Sequence, residues 1–208
     1  MLQSIRDYPL LYGVLAAIAA LCLFAWVMAM RASRRRQAEK NALIAELEHE
    51  KELRQAFRLP TQQQLIDAPA ERLIEGLSCQ VQMLLEKEED PQAAFDALSE
   101  PQRLVYALGF VVQDGRARLS DFFRKNGQPL TGAAAQAVML LTGGDYAEIF
   151  FKEYDAFDVD NEAVSMFTDQ IAALDERFAD LAEEFGDERY ADVRNYILSN
   201  LPSFSVDV

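Results

Sequence analysis

The chain has 208 residues, with 20 Lys and Arg against 34 Asp and Glu, a single His and two Cys. The formal net charge of −14 argues against a protein that binds nucleic acid, because a duplex needs a basic footprint. One His excludes a multi-His metal site, and Cys22 and Cys79 lie too far apart in sequence for a metal knuckle. Since half of the residues are hydrophobic, the chain can form a packed core.

An uncharged, mostly apolar run covers residues 8–30. As a helix it would be about 34 Å long, enough to cross the hydrocarbon core of a membrane. A cleaved signal peptide would carry its basic residues before a shorter apolar stretch, whereas here they follow the run. These residues are Arg31, Arg34, Arg35, Arg36 and Lys40. The positive-inside bias therefore predicts a retained, single-pass transmembrane helix, with residues 1–7 outside and the C-terminal part in the cytoplasm.

The basic cluster has two compatible interpretations. It acts as the orientation signal of the membrane helix, and it can also contact anionic lipid head groups. Beyond it, residues 32–59 contain neither Gly nor Pro, which favours a continuous helix. Residues 31–60 are therefore predicted to form a basic juxtamembrane segment and a helical stalk at the inner or plasma membrane. Glu50 and Arg54 interrupt its apolar stripe, so a self-sufficient coiled coil is not expected.

Residues 61–208 have the length of one domain and a helical pattern of apolar residues. No stretch alternates with the period of a strand, so we predict an all-α cytoplasmic domain of six to eight helices. The first expected helix covers residues 70–88, the second runs from a capping box at Ser99 to Asp114, and a short third one passes through Leu119 to Phe123. The fourth runs from a cap at Thr131 to Leu141, and the fifth starts at a cap at Asp145. The sixth runs from Asn161 to Phe185, and the last starts at a cap at Asp187.

The negative charge is concentrated near the C-terminus. Residues 145–208 contain 17 of the 34 acidic residues but only four Lys and Arg. Several acids recur at three- and four-residue spacings, which places them on shared helix faces. One interpretation is a solubilising surface. The other is a negative field that attracts a basic protein, with candidate contacts at Asp175, Asp180, Glu183, Glu184 and Asp187.

Motifs of known chemistry are missing from the sequence. It has no dinucleotide fingerprint, P-loop, zinc-protease motif or nucleophile elbow. Asp158, Asp160 and Glu162 resemble the start of a calcium loop, but Ala163 stands where the sharp turn needs Gly. We therefore expect no catalytic residue, cofactor or metal, and interpret Asp158 as a helix cap.

Part of the chain, about residues 92–200, resembles the C-terminal domain of the bacterial DNA-mimic protein family. The residues that carry the resemblance are Leu98 to Tyr106, Asp121-Phe122-Phe123, Ala173 to Phe178, and Tyr196-Ile197. The family pattern has Asn-Gly-Gly before its aromatic motif, where this chain has Arg116-Ala117-Arg118. The resemblance implies an all-α domain whose acidic surface imitates phosphates and occupies the nucleic-acid site of a basic protein.

Three functional hypotheses follow. The first is a non-enzymatic, membrane-anchored protein whose acidic domain binds a basic partner and not nucleic acid itself. The second is a structural component of the cell envelope whose acids only keep it soluble, so that its contacts are indifferent to salt. The third is a metal-dependent enzyme, which predicts that a divalent ion raises the melting temperature of the domain.

Overall fold

The computed structural model describes residues 9–115, 117–184 and 190–205. Contacts divide the chain into two units, Met1–Glu50 and Lys51–Val208. Within the described ranges the regular structure is entirely helical and contains no strand. The all-α prediction is therefore confirmed.

The first helix, α1, runs from Pro9 to Ala56. Its described side chains between Leu23 and Glu50 are exposed. Among the residues that the structure describes, no helix combines the length and the apolar character needed to cross a membrane. Tyr8 and the side chains of residues 9–22, which form much of the predicted span, lie outside the described residues.

Ten further α-helices follow in the described part of the second unit. They are α2 Gln62–Asp67, α3 Ala70–Leu85, α4 Pro91–Ala97, α5 Glu100–Asp114, α6 Leu119–Lys125, α7 Leu130–Leu141, α8 Gly144–Ala156, α9 Glu162–Ser165, α10 Asp169–Glu184 and α11 Ala191–Ser199. Two 3₁₀ turns lie at Val159–Asn161 and Leu201–Ser203.

Helix α5 lies at the centre of the core because apolar residues cover most of its circumference. It packs against α3 on one side and α7 on another. Its residues Leu104, Val105, Leu108 and Val111 are all buried. Helices α6, α8 and α10 form the neighbouring layer, where Phe122 and Phe150 meet with ring centroids 6.1 Å apart.

The last turn of α1 belongs to the core of the second unit. Leu53 and Phe57 are only 6% and 5% exposed, and the ring of Phe57 lies over Gly76 of α3. The compact unit therefore includes the end of the segment that the sequence predicted to be a stalk.

The predicted helix over residues 161–185 is wrong as a single element. The structure has a 3₁₀ turn and the short helix α9, and then a break before α10 at Asp169. Val164 and Phe167 continue the apolar spacing in sequence but are exposed to solvent. The periodicity therefore joined two elements of which only the second buries its apolar face.

Two predicted helix caps are also wrong. Helix α7 begins after Pro129, so Thr131 lies inside its first turn. Helix α8 begins after Gly143, whose φ of 57° is in the left-handed region, and Asp145 lies in the first turn, where its charge favours the positive end of the helix dipole. The capping box at Ser99 is confirmed. The cap predicted at Asp187 lies outside the described residues.

Candidate functional site

The exposed side of α10 carries an acidic stripe that we define as Asp169, Glu176 and Asp180. All three side chains are exposed. Their spacings of seven and four residues place them on one helix face, opposite the buried Ile171 and Phe178. Carboxylates in this arrangement present negative charge to a partner without burying it.

The structure separates Asp175 from the other predicted contacts. It is only 6% exposed, and its carboxylate accepts hydrogen bonds from the backbone N and the Oγ of Ser120 at 2.9 and 2.7 Å. A buried, hydrogen-bonded carboxylate cannot contact a partner, so the prediction of Asp175 as a surface contact is wrong. Asp175 is a core residue. Asp180 is exposed, as a contact requires. The side chains of Glu183 and Glu184, and all of Asp187, lie outside what is described.

A second acid, Glu153 of α8, lies beside Asp175 and is fully buried. Neither of its carboxyl oxygens has a hydrogen-bond partner among the donors of the described residues. Burial away from water, reinforced by the negative charge of Asp175, raises the pKa of Glu153 to about 9. Glu153 is therefore protonated at neutral pH.

The two acids and Ser120 come from three different helices. Ser120 belongs to α6, Glu153 to α8 and Asp175 to α10. Protonation of Glu153 removes the repulsion that a second negative charge beside Asp175 would produce. Since Glu153 is fully buried, a dissolved substrate has no access to it. The chemistry that the arrangement supports is proton binding that stabilises the packing of these helices.

Glu153 is not distinguished in the sequence, because it is one acid among many in an acidic segment. The position does carry a signal in retrospect. Glu153 lies four residues after Ile149, three after Phe150 and four before Phe157, on the apolar side of α8. An acid in the apolar register of a helix is a candidate for a raised pKa.

A basic groove lies elsewhere on the same unit, bordered by the end of α1, by α3 and by the C-terminal turn. We define it by Arg58, Leu59, Leu84 and Lys87; its volume is about 560 Å³. At its edge, Arg54 donates two hydrogen bonds to the carboxylate of Glu86, each 2.8 Å long. These bonds hold the pKa of Glu86 at about 2, so the pair stays ionised over the whole physiological range.

The C-terminal turn is tied to the core by two glutamine side chains, which fixes the floor of the groove. Nε2 of Gln80 donates to the carbonyl oxygen of Phe204 at 2.9 Å, and Nε2 of Gln102 donates to that of Ser203 at 3.0 Å. Phe204 itself is buried in the core. The groove is therefore a fixed concave surface and not a gap between loops.

The candidate calcium loop folds as a capped turn. Oδ1 of Asp158 accepts a hydrogen bond from the backbone N of Asp160 at 3.0 Å, which caps the 3₁₀ turn. In the described part of the chain, no three His, Cys, Asp or Glu side chains come together as a metal site would require. Of the juxtamembrane cluster, Arg31, Arg34, Arg36 and Lys40 are exposed, and the side chain of Arg35 is not described.

Comparison of the chain with protein-family models, curated proteins and solved structures finds no match in any of the three.

Proposed function

We propose that this chain is a non-enzymatic, membrane-anchored protein whose all-α domain binds a basic protein through the acidic stripe of α10. The observation that carries the proposal is that Asp169, Glu176 and Asp180 are exposed on one helix face. The surrounding sequence adds to this field, because residues 145–208 hold 17 acids and four bases. Such a surface accelerates the approach of a basic partner and makes the complex sensitive to salt.

The proposed membrane anchor rests on the sequence. The run over residues 8–30 lacks charge, and the basic cluster that follows it is cytoplasmic under the positive-inside bias. The backbone over residues 9–30 is helical and continuous with the rest of α1. If the full chain left the membrane fraction under alkaline carbonate, which strips peripheral proteins, the anchor would be disproved.

The resemblance to DNA-mimic proteins suggests the kind of partner. A protein that otherwise holds DNA phosphates with Lys and Arg would accept carboxylates at similar positions. The proposal therefore includes a DNA-binding protein as the basic partner. Duplex DNA would compete with the acidic stripe for such a partner.

The test is a pull-down from source-organism lysate with the full chain in a mild non-ionic detergent, eluted by a salt gradient. The variant Asp169→Asn/Glu176→Gln/Asp180→Asn removes three charges from the stripe. The matched control Glu88→Gln/Glu89→Gln/Asp96→Asn removes three exposed charges from the α3–α4 region. We expect a basic protein to elute at moderate salt from the wild type and the control but to be lost from the stripe variant.

Equal retention of that basic protein by the stripe variant and the control would disprove the role of the stripe. Partners from the cell envelope that survive high salt in all three chains would instead favour the structural function. In that function the domain packs through apolar contacts, and the acidic residues only keep it soluble. Competition by duplex DNA then separates a DNA-binding partner from any other basic protein.

A further inference from the structure

Two exposed features of opposite charge lie outside the acidic stripe of α10. One is the basic groove of Arg58, Leu59, Leu84 and Lys87. The other is the turn over residues 158–168, which we call the Phe167 turn. Both features have exposed apolar side chains. The charged residues that line the groove are net positive, because Glu86 is paired with Arg54 and leaves Arg58 and Lys87, whereas the charged residues of the turn are acidic.

The Phe167 turn carries the most exposed large apolar side chain among the described residues. Phe167 is 86% exposed, and Val164, three residues before it, is 59% exposed. Asp158 and Asp160 are exposed beside them, and no Lys or Arg occurs in residues 153–176. A bulky apolar side chain in water, surrounded by acids, is typical of a contact residue and not of a solubilising surface.

The backbone of the Phe167 turn is held by its own hydrogen bonds. The backbone N of Phe167 donates to Val164 O at 3.1 Å, and Oγ1 of Thr168 donates to Ser165 O at 3.1 Å. Oγ of Ser165 also accepts from the backbone N of Asp158 at 2.9 Å, which closes the turn on itself. The backbone at Phe167 is therefore held in place, so docking would order the side chain but not the chain around it.

The groove offers the complementary surface. Leu59 and Leu84 are 67% and 40% exposed, so its apolar side is open to solvent. Arg58 and Lys87 are exposed at its border, in a chain whose net charge is −14. Its volume of about 560 Å³ is within the range of roughly 300–1,000 Å³ that pockets for small ligands occupy, and an aromatic side chain is smaller still.

We propose that the Phe167 turn of one copy docks into the basic groove of a second copy. Phe167 and Val164 then cover Leu59 and Leu84, while Asp158 and Asp160 face Arg58 and Lys87. The contact is heterologous, because it joins two different surfaces. Each pair of copies therefore leaves one groove and one turn open for further copies. The inference goes beyond the proposed function, since it uses other residues and its partner is the chain itself.

The test uses two full-length copies with different affinity tags, mixed in non-ionic detergent at about 0.15 M salt, where distant charges are screened. The groove variant is Arg58→Glu/Lys87→Glu, and the turn variant is Asp160→Lys/Phe167→Ser. The control Arg124→Glu/Lys152→Glu makes the same charge change at exposed positions outside both surfaces. Thermal unfolding of every variant verifies that these surface changes leave the fold intact.

We expect wild-type copies and control copies to co-purify. Neither the groove variant nor the turn variant should co-purify with itself, with at least a tenfold loss of recovered partner. The two variants should nevertheless co-purify with each other, because one retains an intact turn and the other an intact groove. A monomeric wild type would overturn the proposal. So would self-association that survives both variants, or two variants that fail to bind each other.

Discussion

Glu153 shows how one buried side chain makes the stability of this fold depend on pH. Its folded pKa is about 9, whereas an unperturbed Glu has a pKa near 4.5. Between these values the folded chain holds a proton that the unfolded chain releases, so stability falls as the pH rises. Below the unfolded pKa the proton is bound in both states, and the stabilising effect is fully present. The slope is at most about 1.4 kcal/mol per pH unit for one proton.

The substitution Glu153→Gln should therefore flatten this pH dependence. Gln carries no charge at any of these pH values, so the variant has no proton to bind or release at this position. Urea denaturation of the full chain at pH 5, 7 and 9 measures the effect. The wild type should lose stability steadily over this range, and the variant should lose much less. Glu148→Gln is the control, since this exposed acid on the same helix has its pKa lowered by Lys152. Equal slopes in all three proteins would refute the assignment.

Asp175 and Asp180 lie on the same helix, but substitution by Asn should lower the stability of the fold only at Asp175. Asp175→Asn replaces a carboxylate that accepts two hydrogen bonds from Ser120, and should cost about 1–3 kcal/mol of unfolding free energy. Asp180→Asn changes an exposed side chain and should stay within about 0.5 kcal/mol. Chemical denaturation at pH 7 compares them. A smaller loss for Asp175→Asn than for Asp180→Asn would contradict the buried role.

At the scale of elements, the contact between α1 and α3 depends on a glycine. A Cβ atom on Gly76 would lie 2.3–2.5 Å from three ring atoms of Phe57, closer than any real contact. Gly therefore allows the end of α1 to lie close against α3. Leu53 and Phe57 are buried in the compact unit, whereas the described side chains between Leu23 and Glu50 are exposed.

Gly76→Ala should therefore destabilise the domain, although Ala is the better helix former by about 1 kcal/mol. Displacing Phe57 should cost more than this gain, with a net loss of about 1–3 kcal/mol. The denaturant midpoint of the full chain gives the result. Gly127→Ala is the matched control, because a Cβ there meets no atom within 4 Å. A stabilised Gly76→Ala variant would mean that the ring of Phe57 moves aside freely.

The elements also show what the sequence could predict. Helices α3 and α6 follow from apolar spacing and end signals, because each has a continuous buried face. Helix α5 follows from its capping box and its run of apolar residues. The break between α9 and α10 did not follow, since Phe167 keeps the apolar spacing while facing solvent. Of the acidic stripe, charge spacing predicts Asp180 as a contact, whereas Asp169 and Glu176 are not among the predicted contacts. The burial of Asp175 could not be predicted, because it depends on a hydrogen bond from Ser120, which is 55 positions away in the chain.

At the scale of the whole molecule, unbalanced charge should oppose folding. Residues 145–208 carry a net charge of −13, from 17 acids and four bases. The ion pairs described there include Lys152 with Glu148, which are exposed and one helical turn apart. Exposed pairs of this kind add little to stability because water and salt screen them, so they do not offset the repulsion among the remaining carboxylates. The acidic surface is therefore a cost to stability that binding a basic partner would relieve.

Salt should consequently stabilise the full chain. Raising NaCl from 10 mM to 0.5 M shortens the screening length from about 30 Å to a few ångströms and weakens the repulsion between exposed acids. We expect the thermal midpoint at pH 7 to rise by a few degrees. The stripe variant Asp169→Asn/Glu176→Gln/Asp180→Asn should gain less from the same increase in salt, because it has fewer exposed charges to screen. Sodium sulfate is not suitable for the titration, because it also strengthens apolar burial. A midpoint that falls with NaCl would show that ion pairs outweigh repulsion, and the acidic surface would then need no partner to explain it.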